Sequence, residues 1–132
     1  MGLNDALQGK TYPPVSFAVE DRRVRTFATA VAHPGDGVPP TFVTAPEVAA
    51  GLANVVADPD LGLDLAQVLH GEQEYEWVRG LRVGETVTAE ATIERIRGRG
   101  SMRFLTLRTI VRDEAEEIVA VGRSTLIVRE DG

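Results

Sequence analysis

A chain of 132 residues with 43% hydrophobic and 26% charged side chains has the composition of one globular domain able to bury a core. Its net charge of −6 argues against binding nucleic acid through phosphates, and the absence of cysteine excludes disulfides and thiolate metal sites. No apolar run approaches the ~18 residues of a membrane span, and the opening MGLNDALQGK lacks the basic-then-apolar pattern of a secretory signal, so the expected location is the cytoplasm.

Residues 1–10 read as a short lead-in. Thr11 to Val19 is extended, because Pro13 and Pro14 forbid helix there and Val15, Phe17 and Val19 alternate with smaller residues. Glu20 to Ala32 then has helical spacing, with Val24, Phe27, Ala28 and Val31 on one face and Arg22, Arg23 and Arg25 off it. His33 to Pro40 is a loop by composition. The segment from Val43 to Ala57 is the next helix. Thr44 with Glu47 three residues on has the form of a capping box, and Pro46 fits in the first turn. Val48, Ala49, Ala50, Leu52, Ala53, Val55 and Val56 cover nearly every direction around it, which marks a buried helix. Its ~14 residues give a rod ~21 Å long.

Asp58 to Gly62 ends that helix, and four strand candidates follow: 67–78, 86–97, 102–112 and 117–129. In the second, Val87, Ala89, Ala91 and Ile93 face one way while Thr86, Thr88, Glu90, Thr92 and Glu94 face the other. Strands of ~11 residues span ~36 Å, enough to curl across a ~21 Å helix. The expected fold is therefore α+β, a single hot-dog domain over residues 1–132, in which an antiparallel sheet wraps around a central buried helix.

At His70-Gly71-Glu72-Gln73-Glu74-Tyr75-Glu76-Trp77, followed by Leu81 and Gly84-Glu85, the chain resembles the MaoC-like hydratase/dehydratase family, and more narrowly its N-terminal halves and non-catalytic subunits. The opening GKTYPPVSFAV, the run Val38-Pro39-Pro40-Thr41-Phe42 and the closing Gly122-Arg123-Ser124-Thr125-Leu126 fit the same family. The resemblance implies a hot-dog hydro-lyase that hydrates trans-2-enoyl thioesters or dehydrates (R)-3-hydroxyacyl thioesters. The acyl group would ride on coenzyme A or an acyl carrier protein, as in fatty acid metabolism. It implies no metal or redox cofactor. It also implies assembly as a dimer with a second hot-dog chain, either a copy or a catalytic sister subunit. The family's catalytic signature is an Asp followed five residues later by a His, which supply acid and base. No Asp here has that partner, and His33 precedes Asp36 in the wrong order. The implied role is that of a subunit without catalytic residues of its own.

Several residues remain as site candidates. Backbone N–H groups near Phe42, Val43 and Thr44, at the expected helix start, could meet a thioester oxygen. His70 and Gly71 belong to the motif and could lie along the acyl tunnel, although a histidine at a strand start is also satisfied by backbone. His33 and Asp36 could be remnants of an acid–base pair or solvated turn residues. Arg95, Arg97, Arg99 and Arg103 surround a turn with no acid between the first and last of them, a basic patch suited to the phosphates of coenzyme A or to a carrier protein; a solvated hairpin tip is the alternative. Two other functions stay open: a non-catalytic acyl-thioester-binding homodimer, and a hot-dog thioesterase using Glu47, the one acid on the central helix.

Overall fold

The structure is a computed structural model that describes residues 2–98 and 100–130. Five strands, β1 (Val15–Ala18), β2 (Val68–Trp77), β3 (Thr86–Arg97), β4 (Met102–Arg112) and β5 (Ile118–Arg129), form one antiparallel sheet in the order β1-β3-β4-β5-β2. Helix α1 (Asp21–Ala30) is shorter than its periodicity suggests. Val31 lies beyond its end, caps it through its backbone N–H and is exposed, so it does not extend the apolar face. The alternation in β3 is realised: Val87, Ala89, Ala91 and Ile93 are buried. A bulge between Ile93 and Arg95 then resets the phase, so that Ile96 points back into the core. The opposite face of β3 carries cross-strand ion pairs, including Glu94 with Arg123 at 3.2 Å.

The central helix crosses the same face of the sheet as these buried side chains. It is continuous from 40 to 57 but changes pitch: a 3-10 turn (Pro40–Val43), an α turn (Thr44–Glu47), a π-helical turn (Val48–Leu52) and an α turn (Ala53–Ala57). The expected capping box is not formed. Thr44 already has helical φ and ψ, because Pro40, pre-set for a first helical position, starts the helix four residues earlier. Pro39 is the cap residue, and its carbonyl accepts the Phe42 N–H at 2.9 Å. Phe42 and Val43 are thereby committed to the core. Phe42 sits edge-on to Phe17 and Phe27, with ring centroids 6.2 and 5.4 Å away. Burying such a side chain contributes about 1.5–3 kcal/mol.

Two clusters of buried side chains lie along the helix. One gathers Phe17, Val24, Phe42, Val87 and Val119; the other gathers Leu61, Ile93, Leu105, Leu126 and Val128. Between them Gly51 lets the π turn approach the sheet. A Cβ there would lie 3.1 Å from Thr109 Oγ1. The outward face of the helix stays open in the single chain, with Val48 45% and Val56 36% exposed.

The lead-in is more than a tail. Leu3 is buried, its N–H donates to Glu130 Oε2 at 2.6 Å, and the Ile96 N–H after the β3 bulge donates to Gln8 Oε1 at 2.9 Å. At the end of the helix Asp58 accepts from Lys10 Nζ at 2.6 Å and from the Tyr12 hydroxyl at 2.7 Å. These bonds hold the Asp58 carboxyl down at about 2.

Candidate active site

A cavity of about 350 Å3 opens between the central helix and strands β2, β4 and β5. Its apolar wall is made by Val48, Leu52, Leu107 and Leu126, and its polar end by Thr44, Glu47, Gln73, Tyr75 and Ser124. Glu47 is the centre of that end. It projects from the last residue of the α turn, immediately before the π turn, and only 7% of it is exposed. Tyr75 donates its hydroxyl to Oε1 at 2.6 Å, and Gln73 donates its amide N–H to Oε2 at 3.0 Å. Thr44 and Tyr75 share a bond of 2.7 Å, and Ser124 donates to Gln73 Oε1 at 2.6 Å. A buried carboxylate is tolerated only when its oxygens are met in this way. Burial, then the bond to Glu47, pushes the Tyr75 phenol well above its ordinary range, while the Thr44 bond opposes the shift.

The strand pattern explains why these groups meet. Gln73 and Tyr75 lie two apart on β2 and share its inner face. Tyr75 pairs with Gly122 and Gln73 with Ser124 on β5. Gly122 supplies the room: a Cβ at that position would collide with the Glu47 carboxylate and approach Tyr75 Cε1 to 3.0 Å.

Of the candidates named from sequence, Thr44, Glu47 and His70 line the cavity. His70 Nε2 lies 3.1 Å from the Glu72 carbonyl, across a bulge at Gly71 where a Cβ would press on Ile127 Cδ1 at 2.8 Å. Phe42 and Val43 belong to the core, and the N–H groups of Phe42 and Thr44 are spent inside the 3-10 turn. His33 and Asp36 sit in the loop before the helix, away from the cavity lining.

The basic patch is altered by the fold. Arg103 is paired with Asp5 and, at 3.4 Å, with Glu130, acids contributed by the two ends of the described chain. Arg97 lies over the Phe104 ring at 5.8 Å, Arg95 is exposed, and Arg99 falls outside the described residues. Gln73, Tyr75 and Ser124 were not singled out as site residues from sequence. The available signal was that positions 73, 75 and 124 are polar on the inward phase of two strands.

Residues 6–121 match the family model described as FAS1-like, dehydratase domain region. The chain belongs to this family. A UPF0336 protein of Streptomyces coelicolor is 34% identical over 146 residues, covering 98% of this chain and 97% of that protein. Among solved structures, the C-terminally truncated HadBC (3R-hydroxyacyl-ACP dehydratase) complex from Mycobacterium tuberculosis superposes with a TM-score of 0.75 at 21% identity, over 92% of this chain and 96% of that one. The (R)-hydratase of A. caviae involved in PHA biosynthesis superposes with a TM-score of 0.62 at 17% identity, over 90% of this chain and 94% of that one. The fold of this dehydratase-family chain is thus the hot-dog fold of the MaoC-like enzymes. No helix among the described residues is long and apolar enough to cross a membrane.

Proposed function

We propose that this chain is a subunit of an (R)-specific enoyl-thioester hydratase or 3-hydroxyacyl-thioester dehydratase. It receives the acyl chain of a coenzyme A or carrier-protein thioester, and a second hot-dog chain supplies the Asp/His pair. The observation that carries this reading is the cavity between helix and sheet, apolar along Val48, Leu52, Leu107 and Leu126 and closed by a polar cluster. A slot of that shape accommodates an extended hydrocarbon next to a polar group. The partner fits the exposed surfaces. β2 is an edge strand, and the open side of the central helix presents Val48 and Val56 beside the cavity-lining Leu52. An uncovered edge of this length invites another strand. The family relationship supplies the reaction class.

The test follows the loss of enoyl-thioester absorbance with the chain alone, with a hot-dog partner that carries the Asp-to-His spacing, and with both together. Hydration that requires this chain and its partner together supports the subunit reading. Full hydration by the purified chain alone, or by the partner without it, overturns that reading.

A second reading, a thioesterase using Glu47, is favoured by one observation: Glu47 is buried in the cavity rather than engaged in a helix cap. Against it, Tyr75 and Gln73 already occupy both carboxylate oxygens, which blunts them as a base or nucleophile. Release of free thiol from an acyl thioester, abolished in Glu47→Gln, would establish the second reading.

A further inference from the structure

Strand β2 ends the sheet. β5 pairs with one side of it, and its other ladder is open among the described residues. The pleat sorts its side chains: Gln73, Tyr75 and Trp77 share the inner face, and Glu72, Glu74 and Glu76 share the outer one. All three glutamates are exposed. Elsewhere on the outer face acids are answered by arginines. Glu90 lies 3.7 Å from Arg112 on β4, and Glu94 lies 3.2 Å from Arg123 on β5. Along β2 the answer is incomplete. Arg123, opposite Glu74, approaches it only to 3.7 Å and is already engaged by Glu94. Glu72 and Glu76 meet no cation among the described residues.

A strand of the same sequence cannot answer this row. Two copies of β2 that meet antiparallel about a two-fold axis, with their outer faces on one side, set even positions opposite even positions. With the axis at Gln73, Glu74 or Tyr75, glutamate falls opposite glutamate. Such pairs bring Cβ atoms within about 4.5–5.5 Å, where like charges weaken the pairing. Slipping further to escape them leaves much of the ladder unpaired. The end of the strand carries a second feature. Trp77 donates its indole N–H to the Pro40 carbonyl at 3.0 Å, and its ring, with Val38, Pro39, Pro40, Gly80 and Leu81, bounds a mostly apolar recess of about 340 Å3. Val78, the next residue, is exposed beside it.

We infer that the β2 edge is a docking surface that turns away a second copy of this chain and takes an edge strand with Lys or Arg at alternate positions, together with an apolar side chain that enters the Trp77 recess. The inference rests on the subunit reading above and gives the sister chain a chemical description. The acid row selects the partner by charge complementarity and by repelling the wrong one. It also fixes the register, because a slip of one residue would turn the basic row to the inner face.

The experiment makes the complementary edge from the chain itself, as the triple variant Glu72→Lys, Glu74→Lys, Glu76→Lys. Sedimentation velocity at low salt should give weak self-association for the unaltered chain and for the lysine variant. An equimolar mixture should form mixed dimers at least about tenfold tighter than either, equivalent to ~1.4 kcal/mol, and the gain should fade as salt rises. Trp77 is the single tryptophan, so its emission should shift to the blue in the mixture alone. The triple variant Glu72→Gln, Glu74→Gln, Glu76→Gln removes the repulsion and should self-associate about tenfold more tightly than the unaltered chain. It decides the matter if the lysine variant loses its melting transition. A tight dimer of the unaltered chain whose affinity is the same in the glutamine variant, or a mixture no tighter than its components, overturns the charge selection. Mixed dimers with unchanged Trp77 emission overturn the place of the recess in the surface. The subunit reading is judged separately by the hydration assay above, and stands or falls without these results.

Discussion

Glu47 shows how one residue type at one spacing serves two different local structures. A Thr with a Glu three residues on is the pattern of a helix cap, and it is equally the pattern of two side chains on one helical face. The structure takes the second option, because Pro40 starts the helix early and Tyr75 and Gln73, 28 and 26 residues downstream, meet the carboxylate. Nothing local to positions 44–47 reveals those partners, so the carboxylate's environment was not legible in the sequence. Gly122 is the residue that keeps the space open. Gly122→Ala should cost about 1–3 kcal/mol in chemical denaturation and abolish thioester binding, since the added methyl displaces the carboxylate. Gly80→Ala, which meets nothing within 4 Å, should stay within about 0.5 kcal/mol. The chain's two tyrosines offer a second check. Burial, followed by a hydrogen bond to Asp58 or Glu47, raises both Tyr12 and Tyr75 above the usual phenol range. Ultraviolet titration of the folded protein should therefore show almost no tyrosinate at pH 10.5. A raised acid contributes stability that is complete below the unfolded value near ~10 and is lost as pH rises beyond it, so tyrosinate should emerge together with unfolding.

At the scale of elements, β3 and β4 were readable because strict alternation leaves one assignment of faces, and the central helix was readable because its apolar residues outnumber any polar face. The lead-in was not readable. Its attachment depends on Leu3, Gln8 and Lys10 meeting Glu130, Ile96 and Asp58, pairs between 48 and 127 residues apart. Distance in sequence also hid the pairing of Arg103, which looked free until Asp5 and Glu130 came beside it. The Asp58 junction yields a pH dependence. First the Lys10 bond and then the Tyr12 bond lower its carboxyl to about 2, so their stabilisation is complete above the unfolded value near ~3.9 and is lost as pH falls through about 2. Asp58→Asn should lower stability at pH 7 by roughly 1.5–3 kcal/mol, the scale of hydrogen bonds to a charged group. Thermal melts of the variant should also be flatter between pH 4 and pH 2 than those of the unaltered chain.

For the whole molecule, the β2 edge and the outer face of the central helix are both open, and a second hot-dog chain lying against both would shield them together. Val56→Asp places a charge on that helical face without entering either core cluster. Sedimentation equilibrium should show association weakened at least about tenfold, the effect of roughly 1.4 kcal/mol, with the melting of the separated chain unchanged. The π-helical turn, Val48–Leu52, gives the cavity wall a spare codon. Such a turn holds one residue more than the α-helical path it replaces. Its wider pitch absorbs the ~100° that an added residue would otherwise turn the helix. Deleting one position within it would restore uniform pitch and leave the flanking turns facing as they do, with the acid at position 47 over the sheet and Val55 in its seat. Lineages could thus recut the greasy wall of the pocket through one in-frame indel, with its charged end and the strands untouched.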